Sequence, residues 1–241
     1  MIRVLSLALL TALTACGPSI NPDDYPDPES LWAVSMEAYR QGDWDKAQLG
    51  FQRLMFGVGP RDDRQAEARY YVAETQLQQG QRLEAARQFR RVSDDFPRHR
   101  LAPDALLRAG DAFAELWKNP ELDPTYGETA LATYAELMGR YPNSTAAQRA
   151  ALKIQEINEM FAEKGYKAGV YYLRLRAFDS AIIYFKDVIL NYAQTSYAPL
   201  SVVKLIEAYD RIGYDEERLE YCTYLSQYHP GTPGAEERCG G

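Results

Sequence analysis

Residues 42–54 read Gly-Asp-Trp-Asp-Lys-Ala-Gln-Leu-Gly-Phe-Gln-Arg-Leu, and this stretch decides the fold. A related stretch begins 38 residues later, where residues 80–92 read Gly-Gln-Arg-Leu-Glu-Ala-Ala-Arg-Gln-Phe-Arg-Arg-Val. In both, a small residue (Ala47 or Ala85) is followed by an aromatic residue four places later and an aliphatic residue three places after that. These positions lie on one face of an α-helix, so the stretch predicts an amphipathic helix that recurs along the chain.

The same frame of small, aromatic and aliphatic residues returns further along the chain, usually before residues that stop a helix. The later copies are Ala130, Tyr134 and Leu137 before Tyr141-Pro142; Ala181, Phe185 and Val188 before Tyr192-Ala193; and a weaker copy at Gly213, Arg218, Cys222 and Leu225 before His229-Pro230. Helix-favouring segments precede the copies, at residues 31–41, 65–79, 103–117, 145–175 and 198–212. Because no useful length alternates with the period of two typical of a strand, we predict an all-α solenoid of about five helix-turn-helix repeats.

These repeats, which cover residues 31–230, resemble the tetratricopeptide family, in which the small residue of the frame lets helices approach closely. Their spacing departs from the family period of about 34 residues at two insertions, residues 118–125 and the segment 145–175. The second insertion would form one helix of about 45 Å if it were unbroken. Gly165 and Gly169 are the positions where we expect that helix to kink.

The N-terminus has the features of a secretion signal. Arg3 supplies a positive charge, and the apolar run of residues 4–13 is too short to span a bilayer stably. The run ends in Leu13-Thr14-Ala15-Cys16, which resembles the lipobox of bacterial lipoproteins. That resemblance implies that residues 1–15 are a lipoprotein signal peptide and that Cys16 carries acyl chains such as palmitate, which anchor it in a membrane. The alternative is an ordinary signal peptide with an incidental Cys16.

Residues 16–30 are predicted to form an extended tether, because they contain four prolines and no helical period. Gly17 follows the acceptor Cys at the position where lipoproteins retained at the inner membrane carry Asp. The resemblance therefore implies the outer membrane, with the folded body hanging from the lipid and facing the periplasm.

Composition argues against several classes of function. The 241 residues include 27 Lys and Arg against 34 Asp and Glu, a net charge of -7, so nucleic-acid binding is not expected. The chain has two His and three Cys, and both His99 and His229 lie at predicted turns without ligands at metal-binding spacing. No nucleotide-binding, hydrolase or metalloprotease motif is present. We therefore expect no cofactor, no metal and no catalytic residue.

Cys222 and Cys239 have two interpretations. An exported protein meets an oxidising compartment, where two such thiols tend to pair, and a disulfide would tie down residues 231–241. Alternatively, Cys222 occupies the aromatic position of the fifth repeat and is simply a buried thiol.

The first helices of the repeats are expected to line a concave groove, as they do in tetratricopeptide proteins. By helical phase, the groove residues of the first two repeats are Trp32, Met36, Tyr39, Arg40, Tyr70, Glu74 and Leu77. Aromatic and Arg side chains can clamp an extended peptide, so we predict that this groove binds client proteins. An enzyme, the least favoured class, would need a poised acid in the groove such as Glu74.

The signal, the tether and the repeats together resemble the BamD family of outer-membrane assembly lipoproteins. The stretches that carry the resemblance are Asp123-Pro124-Thr125; Tyr141-Pro142-Asn143-Ser144; Val-Tyr-Tyr-Leu-Arg at residues 170–174; and Phe-Asp-Ser-Ala-Ile-Ile-Tyr-Phe at residues 178–185 with Tyr192. The chain departs from the family at Tyr184, where a basic residue is common, and at Ala193, where Pro is common.

This resemblance implies a non-catalytic subunit of the β-barrel assembly (BAM) complex. Repeats one to three, residues 31–143, would bind unfolded outer-membrane protein segments. Repeats four and five, residues 144–234, would dock on periplasmic POTRA domains of a BamA-like barrel protein, while residues 235–241 would form a tail. The docking residues would be Arg174, Arg176, Tyr184 and Lys186, and further BAM lipoproteins could join. The alternative is a tetratricopeptide scaffold of the envelope that coordinates cell-wall synthesis or division.

Overall fold

The computed structural model describes residue 21 and residues 24–59 and 62–240, so the predicted signal peptide, Cys16 and Gly17 lie outside the described residues. Within the described residues the chain forms eleven helices and no strand. The helices are α1 (Pro28–Gln41), α2 (Trp44–Gly57), α3 (Asp63–Gln78), α4 (Arg82–Asp95), α5 (Ala102–Ala114), α6 (Thr125–Arg140), α7 (Thr145–Arg174), α8 (Phe178–Asn191), α9 (Tyr197–Ile212), α10 (Asp215–Tyr228) and α11 (Ala235–Cys239). The prediction of an all-α chain is confirmed.

Successive helices form pairs that stack in chain order. Each helix from α2 to α10 packs against the helix before and the helix after it, and α7 also contacts α5 and α9. The short α11 lies against α9 and α10. Contacts that are limited to near neighbours are the defining property of a solenoid, so the structure is the helical-repeat solenoid that the frame predicts.

The recurring frame supplies the core of each pair. The small and aromatic residues of four frames are completely buried: Ala47 with Phe51, Ala85 with Phe89, Ala130 with Tyr134, and Ala181 with Phe185. The aromatic rings of the frame, in turn, pack against small residues on the facing helix, as two examples show. A Cβ added at Gly169 of α7 would lie 2.5 Å from Cε1 of Phe185, and one at Gly110 of α5 would collide with the ring of Tyr134. Small residues on both helices therefore set the distance between them.

Both insertions are built into the solenoid. Helix α7 has 30 residues and runs through Gly165 and Gly169 as a single helix. The loop between α5 and α6 is held against it, because Lys164 Nζ donates hydrogen bonds to the carbonyl oxygens of Pro120 (3.0 Å) and Leu122 (2.9 Å). The loop and the long helix therefore form one structural unit.

The two ends of the body are more ordered than the sequence suggests. Helix α1 begins at Pro28, within the predicted tether, because Asp27 caps it by accepting a hydrogen bond from the backbone N–H of Ser30 (2.8 Å). Tyr25 packs against the core of the first helix pair. At the other end, residues 235–239 of the predicted tail form α11. The tether is therefore in contact with the first repeat from Tyr25 onward.

We expect Gly169→Ala to lower the free energy of unfolding by about 1–2 kcal/mol, because the added methyl overpacks the contact with Phe185. Gly139 is the matched control, since it is an exposed helical glycine of α6 whose Cβ would meet no atom within 4 Å. Gly139→Ala should leave stability unchanged or raise it by up to about 1 kcal/mol through helix propensity. Urea unfolding followed by circular dichroism measures both; equal effects at the two positions would contradict the packing argument.

Candidate functional site

The predicted groove residues of the first repeat lie in an aromatic cluster. The ring of Trp32 packs edge-on against Phe51 (5.4 Å between ring centroids) and Tyr71 (5.6 Å). Tyr39 packs against Trp44 (5.4 Å) and Tyr71 (5.3 Å). Because Trp32 and Tyr39 are half-buried, each ring has a packed side and retains some exposed surface.

The remaining groove residues divide into packing and charged groups. Met36 is half-buried against the first core, and Tyr70 and Leu77 are half-buried against the core around Phe89. Arg40 is exposed and pairs with Glu37 of its own helix, at 3.5 Å. The structure therefore gathers the predicted aromatic residues into one region across α1 and α3, while Arg40 points to solvent.

Glu74 is buried, with 7% of its surface exposed, and it forms an ion pair that the sequence analysis missed. Arg108 of α5 donates from Nε and Nη2 to the two carboxylate oxygens, both at 2.8 Å, while its guanidinium lies 5.7 Å above the ring of Phe89. The hydrogen bonds from Arg108 to Glu74 hold the pKa of Arg108 above its ordinary value. Glu74 is therefore a positioned partner of Arg108, with both oxygens engaged.

A repeat-length spacing is the signal that would have found this pair. Arg108 follows Glu74 by 34 residues, close to the 38-residue offset of the first two frames, and the two lie on the neighbouring first helices α5 and α3. Other polar pairs have almost the same separation, including Arg82 with Glu115 at 33 residues and Gln79 with Asp45 at 34 residues. In a solenoid, residues one repeat apart are neighbours in space. Opposite charges at that spacing therefore predict contacts between repeats.

Burial of tyrosines makes a prediction for alkaline pH. Burial, reinforced at several sites by nearby carboxylates, raises the pKa of Tyr39, Tyr70, Tyr71, Tyr134, Tyr192, Tyr197 and Tyr221. Above pH ~10, the ordinary value, the unfolded chain loses protons that the folded chain retains, so stability falls as the pH rises. We expect absorbance at 295 nm to report an early group of exposed tyrosines and a later group that ionises with unfolding. A single step near pH 10 with retained helicity would contradict this expectation.

The predicted docking residues have different local surroundings. Arg174 and Arg176 are exposed at the turn between α7 and α8, where Arg176 has a positive φ of 60°. Tyr184 of α8 stacks on Tyr172, with ring centroids 5.3 Å apart. Lys186 faces α9 and α10, since its Nζ lies 5.8 Å from the ring of Tyr209.

Arg174 and Arg176 belong to a cleft of about 820 Å³ between the C-terminal part of α7, the start of α8, and α9. Apolar and aromatic side chains form part of its wall, among them Tyr166, Tyr171 and Phe178. Its basic residues are Lys167, Arg174, Arg176, Lys204 and Arg211. Arg174 and Arg176 are docking residues predicted from the sequence; Arg211, which lies on α9, is not among the predicted residues, and the fold brings it to the same cleft.

Cys222 and Cys239 are joined in a disulfide that links α10 to α11. The bond places Arg238 beside α9, where its Nη2 lies 3.1 Å from a carboxylate oxygen of Glu207. Arg218 Nη1 also donates a hydrogen bond to the carbonyl oxygen of Arg238 (3.4 Å). The last helix is therefore attached to the body by covalent, ionic and hydrogen bonds.

No group of three or more His, Cys, Asp or Glu side chains in the described part of the chain is arranged to hold a metal ion. Among the same residues, no helix is both long enough and apolar enough to cross a membrane.

Comparison with known proteins gives one family. The family model YfiO, described as an outer membrane lipoprotein, matches residues 24–223. The outer membrane protein assembly factor BamD of Caulobacter vibrioides is 27% identical over 203 residues, which cover 84% of this chain and 66% of that protein. The proteins of the same name from Xylella fastidiosa and Vibrio cholerae are each 25% identical, over 86% and 93% of this chain and 75% and 96% of their own lengths. A tetratricopeptide protein of Thermus thermophilus, 20% identical, superposes with a TM-score of 0.39 over 88% of this chain and 96% of its own.

Proposed function

Because the chain belongs to the YfiO family of outer membrane lipoproteins, we propose that it is a non-catalytic subunit of the complex that assembles β-barrel proteins in the outer membrane. The observation that carries the proposal is the extent of the family match, which includes α1 to α9 and part of α10. Relatives whose alignments cover 84–93% of this chain are named as outer membrane protein assembly factors. A solenoid of exposed helices suits such a role, because it offers extended concave surfaces to several partners.

We propose that Cys16 is acylated and holds the protein on the periplasmic side of the outer membrane. Tyr25 already packs against the first repeat, so the stretch from Cys16 to Asp24 is the part of the chain that separates the proposed lipid from the packed body. A fully extended tether of that length reaches at most about 30 Å. The first repeat would therefore stay close to the lipid surface.

Residues 31–143 are proposed to receive unfolded segments of outer-membrane proteins. Support comes from Trp32, Tyr39 and Tyr70, which are half-buried and present rigid aromatic surface at the first two repeats. Rigid rings give contact area at a low cost in side-chain entropy. The Glu74–Arg108 pair lies next to one of these rings, because Arg108 covers Phe89 and Tyr70 packs on Phe89.

Residues 144–234 are proposed to dock on POTRA domains of a BamA-like barrel protein, and further lipoproteins of the complex would join the same assembly. Support comes from the exposed guanidinium groups of Arg174 and Arg176 at the α7–α8 turn. Tyr184 stacks on Tyr172, and Lys186 lies beside the ring of Tyr209. We therefore propose that Arg174 and Arg176 supply most of the positive charge that attracts the POTRA domains.

The test is gentle detergent extraction of the tagged, full-length lipoprotein from its native envelope, followed by identification of stoichiometric partners. We expect a large barrel protein with periplasmic repeat domains. The variant Arg174→Glu with Arg176→Glu should lower its recovery at least about tenfold. The control is Arg87→Glu with Arg91→Glu on α4, where both arginines are exposed. Recovery of cell-wall enzymes without a barrel protein would instead support the scaffold function, and undiminished recovery with the docking variant would overturn the residue assignment.

A further inference from the structure

The cleft between α7 and α9 carries a charge opposite to that of the whole protein. Five basic and two acidic side chains line it, whereas the chain as a whole has a net charge of -7. A local excess of one sign in a concave site raises the concentration of oppositely charged ligands around it. The cleft is therefore suited to an anionic ligand.

The two carboxylates of the cleft do not offset its arginines, because lysines and the C-terminal helix already engage them. Glu121 lies 3.0 Å from Lys167 Nζ. Glu207 accepts a hydrogen bond from Lys204 Nζ at 2.9 Å and pairs with Arg238 at 3.1 Å. Burial opposes ionisation of Glu207, but the hydrogen bond from Lys204 and the nearby positive charges outweigh burial and lower its pKa.

Three arginines of the cleft stand outside any direct ion pair among the described residues, although the charge of Arg211 also acts on Glu207. Arg174, Arg176 and Arg211 form no salt bridge with any residue that the structure describes, and all three are exposed. A guanidinium group presents its N–H donors in a planar fork that fits a carboxylate with two parallel hydrogen bonds. The unpaired groups therefore favour a ligand that brings several carboxylates.

The walls and the size of the cleft favour a peptide over a single small anion. Tyr166, Tyr171 and Phe178 line the cleft together with the basic residues and offer apolar contact surface. The volume of about 820 Å³ lies in the upper part of the range found for pockets that enclose whole organic ligands. Carboxylates alternating with apolar side chains would match this arrangement.

We propose that the cleft between α7 and α9 binds an acidic peptide segment of a partner protein, and that α11 keeps the cleft positive by placing Arg238 on Glu207. This proposal rests on the proposed function, because it names the chemistry of a partner segment that docks on residues 144–234. The Cys222–Cys239 bond is the device that holds Arg238 in place, since α11 has only five residues. An isolated helix of that length is not stable in water.

The test uses the purified full-length lipoprotein in a nonionic detergent and a fluorescein-labelled peptide, Glu-Tyr-Glu-Gly-Glu-Tyr-Glu-Gly, followed by fluorescence anisotropy. The same peptide with Gln in place of every Glu is the ligand control. We expect the acidic peptide to bind at least about tenfold more tightly at low ionic strength, and the difference to shrink as salt screens the charges. Equal binding of the two peptides would overturn the proposal.

Substitutions in the cleft test whether the peptide binds there. Arg174→Glu with Arg211→Glu should weaken binding of the acidic peptide at least about tenfold, whereas Arg87→Glu with Arg91→Glu should change it less than about twofold. Arg238→Gln should weaken it about threefold, because it leaves the charge of Glu207 less compensated. Circular dichroism confirms that each variant is folded. If the cleft variant binds as tightly as the parent, the proposal fails.

A lipid headgroup is the competing anionic ligand. Phosphatidylglycerol added as mixed micelles in the same detergent should not displace the bound peptide, and displacement that depends on Arg174 and Arg211 would overturn the choice of a peptide. Recovery of partners from the envelope is a separate measurement, so a barrel protein that co-purifies without any peptide binding would retain the proposed function and remove this inference.

Discussion

Replacement of Trp117 by alanine is expected to lower the free energy of unfolding by about 3–5 kcal/mol. This side chain is 2% exposed and lies just after α5, in the core shared by the third and fourth helix pairs. Its ring packs 4.5 Å from that of Phe161 on α7 and fills the space above Gly127 on α6. Because one ring touches α6 and α7 at once, its loss leaves a cavity that no single side chain can fill.

The loss should come from packing rather than from a broken hydrogen bond. The indole Nε1 of Trp117 has no hydrogen-bond partner among the described residues. Trp117→Phe should therefore recover part of the stability, since it restores ring volume without a donor. Urea unfolding followed by circular dichroism at 222 nm measures the series.

Leu122→Ala is the matched control, because Leu122 is an apolar residue of the same loop with 61% of its surface exposed. Its carbonyl oxygen, which accepts from Lys164, is unchanged by the substitution. We expect a change within about 0.5 kcal/mol. A loss below about 1 kcal/mol for Trp117→Ala would mean that the loop folds independently of α6 and α7.

Replacement of Arg108 by methionine should lower stability by about 2–4 kcal/mol, because it leaves the carboxylate of Glu74 buried without its partner. The two side chains are 27% and 10% exposed, and both guanidinium hydrogen bonds are 2.8 Å long. Methionine keeps much of the apolar stem that covers Phe89. The effect should therefore report the unpaired charge more than lost packing.

The double variant Glu74→Leu with Arg108→Met separates these causes, because it removes both charges together. Most of the lost stability should return, as expected when a buried ion pair is replaced by apolar groups. Arg82→Met provides the exposed comparison: its pair with Glu115 has side chains 35% and 42% exposed and should contribute less than about 1 kcal/mol. Equal losses for Arg108→Met and Arg82→Met would contradict the role of burial.

The groove and the docking region were only partly predictable. Helical phase assigned Trp32, Tyr39 and Tyr70 to one region, and the structure does bring them to the adjacent helices α1 and α3. The same reasoning grouped Lys186 with Arg174, but Arg174 lines the cleft, whereas Lys186 packs near Tyr209 and is not among the cleft residues. Phase places a residue on one side of its own helix. It does not say which other helix covers that side.

The sequence by itself determined the helices and their order, because the frame is a local pattern that repeats. Ala181 and Phe185, for example, lie on one face of their helix whichever helix packs against it. Only the tertiary structure decided that charges without a repeat-length spacing meet, such as Glu207 with Arg238. It also decided that Arg174 and Arg211 share one cleft. The physical reason is that helical periodicity depends on backbone geometry within a few residues. A contact between repeats depends instead on how each helix pair is rotated against the next, and that rotation is set by side-chain packing over the whole interface.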